Sequence, residues 1–314
     1  MAEKQNLSKL SRADALAIMV TGLLLILLVP VLFAKSGEQD ARTTCSAHLA
    51  QIGKAMLLYA GDNAGVLPRA GGPSTVWGSM PHYGWIAADR RAAFGLAPDG
   101  TGGKASISAS FYLLVKYRGV SPKLFVCPAD RGTTEFKILY TTMPNPPTLI
   151  DFWDFGPPID AFRHCSYAYH MPYAGPYALT TSRDPNLAVA ADRSPWIGSP
   201  AAHATEWTTF TPDIPMKDGV RSGSSDQARR GNSITHQRDG QNVLFLDGRV
   251  MFQTRPYCGV EKDNIYTVSR VRTGGDAYGY LPAPGPACIP TNRADSVLVH
   301  DPDAFPRERR PSRK

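Results

Sequence analysis

Apolar positions along the chain follow three patterns, each predicting a different element. Residues Ala15 to Ala34 (ALAIMVTGLLLILLVPVLFA) carry no charge, and at 1.5 Å rise per residue a helix of that length matches the roughly 30 Å hydrocarbon core of a bilayer. Beyond it, Cys45, Leu49, Ile52, Met56 and Tyr59 recur every three or four residues, which lines one helix face with apolar groups and turns Gln51 and Lys54 elsewhere. The spacing predicts one helix from about Asp14 to Ala60, stopped by Gly61-Asp62-Asn63-Ala64-Gly65 and Pro68. Late in the chain the segments Asn242 to Leu246 (NVLFL) and Arg249 to Thr254 (RVMFQT) flank Asp247-Gly248, predicting a hairpin with a type I′ turn.

The apolar stripe needs a partner, and a sheet containing the hairpin is the natural one. The expected fold is therefore α+β: a long N-terminal helix, transmembrane in its first half, packed on a small antiparallel sheet. Between these ends, Phe111 to Tyr117 (FYLLVKY) reads as helical or buried, and Lys123 to Cys127 (KLFVC) as a short apolar run ended by Pro128. Residues 71–99, 143–158 and 194–219 lack periodicity and read as long loops. The chain's 28 glycines and 27 prolines suit such a loop-rich domain better than a helical bundle.

Charge orients the chain. Lys4, Lys9 and Arg12 precede the apolar run against Glu3 and Asp14, while Glu38 and Asp40 offset Lys35 and Arg42 after it. The positive-inside rule then puts the N-terminus in the cytoplasm and the remainder outside. The expected organisation is a cytoplasmic segment 1–14, a membrane helix 15–34, an extracytoplasmic domain 35–300 and a basic disordered tail 301–314. A cleaved signal peptide is the alternative, with Leu32 standing where a small residue is wanted; both readings export the domain. The net charge of +7 owes much to the terminal RERRPSRK, and no aromatic side chains interleave that tail, so nucleic acid is not an expected partner.

Candidate chemistry is sparse. Cys45, Cys127, Cys165, Cys258 and Cys288 include no C-x-x-C pair, which argues against a zinc ribbon or thioredoxin-type site. In an oxidising compartment they would tend to pair, and the odd count leaves about fifteen patterns open. His236 and Asp247 lack an accompanying G-x-S-x-G nucleophile, and Asp247 is already explained by the turn. Asp151, Asp154 and Asp160 among Phe152, Trp153 and Phe155 suggest calcium or sugar binding only without an EF-hand pattern. His164, Cys165 and His170 lack a completing ligand at a metal-site spacing. No catalytic residue, cofactor or metal is therefore expected, and the chain reads as a non-enzyme.

The apolar N-terminal helix containing Pro30, the segment CSAHLAQIGKAMLLYAGDNAGVLP, then LFVCPAD and NVLFLDGRV resemble the bacterial prepilin-type family whose C-terminal signature is called the H-X9-DG domain, relatives of type II secretion pseudopilins. The resemblance covers about Ala13 to Thr254. It departs at the processing junction, where the family's glycine, phenylalanine and glutamate are missing near Ser8, Lys9 and Asp14, and at His236, which ten residues separate from Asp247-Gly248. It implies a pilin-like architecture and a signature hairpin of His236, Asp247 and Gly248. Cys45 and Cys127 lie in its segments, which favours a bridge between them; Cys258 with Cys288 is the second candidate pair, leaving Cys165 free. The implied function is that of a membrane-anchored, single-pass, pseudopilin-like structural or interaction protein. Its expected setting is type II secretion or pilus-like assembly at the bacterial inner membrane, with a periplasmic or surface domain. The lipid bilayer, other pilin-like subunits and secretion machinery would be its partners. The alternative is an exported binding protein whose Trp77, Trp85, Trp153 and Trp207 loops hold a glycan or other ligand.

Overall fold

The computed structural model describes residues 12–138, 145–173, 175–217, 219 and 222–305, and within the first helix not the side chains at 12, 15, 25 and 27–36. The expected cytoplasmic segment before Arg12 and the arginine-rich end of the tail lie outside the described residues. The chain divides into two compact units, Met1–Ala41 and Arg42–Lys314.

Helix α1 (Arg12–Asp62) contributes residues to both units. In the larger unit its stripe behaves as its period requires, with Cys45, Leu49, Ile52, Met56 and Tyr59 all buried. The helix stops where Ala64 and Gly65 turn left-handed (φ 52° and 78°). There the Gly65 N–H donates to Ala60 O at 2.8 Å, satisfying a carbonyl the helix leaves open.

A five-stranded sheet forms the centre of this unit, in the order β6-β5-β4-β3-β7 with every neighbour antiparallel. Its strands are β3 (Tyr167–His170), β4 (Ala188–Asp192), β5 (Gln241–Phe245), β6 (Val250–Gln253) and β7 (Leu298–Val299). The middle strand, Ala-Val-Ala-Ala-Asp, is buried along its whole length. A helix can approach such a sheet closely, and Gly53 of α1 does so: a Cβ there would stand 2.7 Å from Leu244 Cδ1 of β5.

Around the sheet lie a parallel pair, β1 (Val76–Trp77) with β2 (Lys104–Ala105), and helices α2 (Arg90–Phe94), α3 (Ile107–Arg118) and α4 (Ser225–Arg229). Helix α3 contains the FYLLVKY run. The Ser106 hydroxyl caps it by accepting from Ala109 N–H at 3.1 Å, and left-handed Gly119 ends it. Asp301, assigned to the tail from sequence, is buried and accepts from Ile107 N–H and Ser108 N–H at 2.8 Å each, the first turn of α3.

The fold expected from sequence is corrected on its membrane half. Among the described residues no helix is long and apolar enough to cross a membrane. The single-pass topology and the inner-membrane localisation with a periplasmic or surface domain are overturned with that span. The pilin-like layout of one long N-terminal helix backing a small sheet is corrected as well. Only the part of α1 from Arg42 onward belongs to the sheet-bearing unit, and the sheet is assembled across a buried alanine strand, with β7 arriving from residues 298–299.

The hairpin joins β5 to β6 in the register Leu244↔Val250 and Asn242↔Phe252. Its turn differs from the expected type I′, which needs left-handed backbone at both central residues. Here Gly248 has φ 87° and Asp247 is not left-handed. Gly248 N–H closes on Phe245 O at 2.9 Å and Phe245 N–H on Arg249 O at 2.9 Å, giving a three-residue loop with a glycine bulge. Asp247 stabilises the loop by accepting from Arg249 N–H at 3.1 Å.

Candidate functional site at the buried bridge

The segments that carry the family resemblance converge on one buried point between α1, β4 and the hairpin. Cys45 on α1 is bonded to Cys127, the expected first pair, with Cα atoms 5.2 Å apart. Cys127 is held in place by its N–H donating to Ser166 Oγ at 3.0 Å, just before β3. His236 lies against the bridge, fully buried, with Nε2 3.8 Å from Cys127 Sγ and 3.3 Å from Asp192 Oδ2. Asp192 ends β4, and its Oδ2 accepts from Asn242 N–H of β5 at 2.6 Å. Asp192 Oδ1 is buried with no hydrogen-bond partner among the described residues.

His236 reaches this point at the start of a tight turn before β5. Gln237 and Arg238 are both left-handed (φ 56° and 61°), so the chain doubles back between Ser233 and Gly240. The loop is pinned to α1, where Arg42 pairs with Asp239 at 2.7 Å and lies over the Phe252 ring at 4.6 Å. Arg229 of α4 pairs with the other Asp239 oxygen at 2.5 Å. Asn242 adds a further tie by donating its side-chain N–H to Arg42 O at 3.3 Å.

The arrangement does not form a catalytic relay. A triad uses the two imidazole nitrogens for different partners, one for the nucleophile and one for the orienting acid. Here the same Nε2 faces Cys127, Asp192 and the Asn242 side chain, and the sulfur is already committed to the bridge. What the four groups Cys45, Cys127, Asp192 and His236 do share is proximity: one ligand atom of each lies within 4.8 Å of all the others.

The other residues singled out from sequence are placed apart from this point. Cys258 and Cys288 are both free, so the second expected bridge is not formed. Cys288 belongs to the main apolar core, whereas Cys258 packs against the separate cluster around Phe210 and Tyr266. Burial raises the thiols of Cys165 and Cys288 to about 12 and that of Cys258 further still, so none is a ready nucleophile.

Asp151, Asp154 and Asp160 serve three separate local purposes. Asp151 accepts from Thr148 N–H at 2.7 Å in a capping box, and Asp160 pairs with Arg163 at 3.4 Å. Asp154 is fully buried and accepts from Ser106 Oγ at 2.5 Å and Phe155 N–H at 2.8 Å. Desolvation and the neighbouring Asp301 raise it to about 7. His170 is also buried, and its ring is held neutral by desolvation, its pKa lowered to about 3. His164 stands beside Thr134 Oγ1 at 3.5 Å and Asp160 Oδ2 at 3.3 Å, superficially a triad. Its Nδ1 is bound more closely to Thr134 O, at 2.8 Å. It therefore donates there, and no lone pair is left to take a proton from the hydroxyl.

The tryptophans form no exposed platform. Trp77 and Trp153 are buried, Trp85 stacks on Phe152 at 5.3 Å, and Trp207 sits among Trp196, Phe210 and Tyr278.

Asp192 and Asn242 are the members of the junction that sequence reasoning missed. The available signal was an acid closing an alanine run, LAVAAD, since a carboxylate at the end of a buried strand requires a polar partner. Comparison with known proteins returns no matching family model, no matching curated protein and no matching solved structure.

Proposed function

We propose that this chain is a non-enzymatic assembly protein that associates with further copies of itself through the apolar helical face of its first unit. The carrying observation is the exposure of Leu16 (60%), Met19 (66%), Leu23 (59%) and Ile26 (70%). Their separations of three, four and three residues make the seam that one helix offers to another in knobs-into-holes packing. Large contiguous apolar exposure marks an interaction surface, and a like helix is the partner whose spacing matches this one.

The buried bridge supports a structural role for the second unit. It fixes α1 to the sheet and hairpin by a covalent bond, a histidine and a salt bridge, which suits a unit held rigid while its neighbour makes contacts. His236 Nε2 faces a sulfur already committed to the bridge, and His164 Nδ1 donates to Thr134 O. The resemblance of CSAHLAQIGKAMLLYAGDNAGVLP and NVLFLDGRV to proteins of filament assembly favours the same reading.

Equilibrium sedimentation of the full chain over a range of concentrations tests it. The expected result is reversible association that Leu23→Asp abolishes. A wild-type chain that stays monomeric at every concentration excludes self-assembly.

A further inference from the structure

We propose that Cys45, Cys127, His236 and Asp192 form a closed site for a divalent metal ion of the zinc class whenever the Cys45–Cys127 bridge is open. The same residues then cross-link α1 to the sheet in two mutually exclusive ways, by a disulfide or by a metal.

The argument is geometric. A tetrahedral zinc centre has bonds of about 2.3 Å to sulfur and about 2.0–2.1 Å to nitrogen and oxygen. Its ligand atoms therefore stand roughly 3.4 Å apart for a nitrogen–oxygen edge and roughly 3.6–3.8 Å for edges that include sulfur. His236 Nε2 lies 3.3 Å from Asp192 Oδ2 and 3.8 Å from Cys127 Sγ, so two edges of that tetrahedron are already present. Once the S–S bond is broken, the two sulfurs must separate by only about 2 Å to complete it, roughly 1 Å each. Two thiolates, an imidazole and a carboxylate are a donor set suited to zinc.

The surroundings fit as well. All four side chains are buried, as in structural zinc sites, which admit no solvent ligand. Asp192 Oδ2 accepts from Asn242 N–H at 2.6 Å and from the Asn242 side-chain N–H at 3.4 Å, the outer-shell support that metal-binding carboxylates receive. Its Oδ1, buried without a hydrogen-bond partner among the described residues, has unused ligand capacity. Two thiolates and one carboxylate against a dication leave a net single negative charge, which the Asn242 donors face.

The exchange between the two states balances without a proton. In the metal form both sulfurs are thiolates. A thiol–disulfide oxidant takes two electrons from them, its own S–S bond breaks to give two thiolates, the Cys45–Cys127 bond forms, and the metal leaves as the dication. A dithiolate reductant with free metal runs the exchange in reverse.

Cobalt(II) is the probe, because tetrahedral thiolate coordination gives it intense visible bands and a sulfur-to-metal charge-transfer band. The full chain is reduced anaerobically with a phosphine and titrated beside the oxidised chain, which retains free Cys165, Cys258 and Cys288 as an internal control. One cobalt per chain with tetrahedral bands in the reduced form only, expelled when a disulfide oxidant is added, is the expected result. His236→Asn should weaken binding by about 10-fold or more. Asp192→Asn provides a second variant if His236→Asn does not fold. A reduced chain that unfolds without metal and refolds with one cobalt supports the site equally. The proposal is overturned if the reduced chain takes up no cobalt, folded or not, or if the oxidised chain binds it as well. Unchanged binding in both variants overturns it too.

Discussion

Asp154→Asn isolates the cost of burying one carboxyl group. Asp154 is completely buried beside Asp301, and desolvation first, then that neighbouring charge, raises its pKa from 3.8 to about 7. The sign follows from proton counting. Between about pH 4 and pH 7 the folded chain holds a proton on Asp154 that the unfolded chain has released, so stability from this group falls as pH rises and levels off above about 7. Each pH unit in that window is about 1.4 kcal/mol. Asparagine keeps the shape and one acceptor for Ser106 but cannot titrate, so any loss from the altered hydrogen bond is the same at every pH. Urea unfolding of both proteins at pH 5 and pH 8 should therefore show Asp154→Asn gaining on wild type by about 3 kcal/mol across that interval. Titrating groups that do not interact with Asp154 cancel in the difference. A gap between the two proteins that is constant with pH would falsify the assignment of a buried, protonated Asp154.

Three further perturbations follow from the packing. Replacing Cys45 and Cys127 together by alanine opens a loop of 82 residues and should cost about 4–5 kcal/mol in the chain-entropy model, read as a lower urea midpoint in the presence of a chelator; an unchanged midpoint would refute the bridge as a main tie. Arg193→Met leaves Asp130 buried without the partner it holds at 2.8 Å. Thermal unfolding should show a loss of about 3–5 kcal/mol, partly recovered by adding Asp130→Leu. Gly248→Ala meets nothing closer than Leu57 Cδ1 at 3.6 Å, so its cost of about 1 kcal/mol should come from the left-handed backbone alone, visible as loss of amide protection confined to β5 and β6.

The elements legible in the sequence were those whose signal is local. The spacing of Cys45 to Tyr59 reported the buried face of α1 because a helix repeats every 3.6 residues, and Asp247-Gly248 reported a hairpin because only a turn favours that pair. The turn type was not legible, since it is set by the pairing of Phe245 with Arg249 across the strands and not by the dipeptide. Strand β4 was missed because Ala188, Ala190 and Ala191 have little strand preference and the strand, buried on both faces, shows no alternation. Strand β7 is only Leu298 and Val299, too short to carry a pattern. The junction at His236 was half visible. His236, Cys45 and Cys127 stood out as residue types, but Asp192 and Asn242 acquire their roles only when β4 and β5 lie side by side. Cys258 with Cys288 was the second candidate pair, and the sequence carries no sign of the two separate apolar clusters that hold them.

Self-association through the first unit is tested most directly by cross-linking at the seam. In the full chain, Leu23→Cys places a thiol at an exposed seam position, and Lys54→Cys places one at an exposed position of the second unit as a control. Mild oxidation should give a disulfide-linked dimer from Leu23→Cys, and a far weaker one from Lys54→Cys at equal concentration. If position 23 cross-links no better than position 54, the apolar face does not pack against its own copies and the assembly function is wrong.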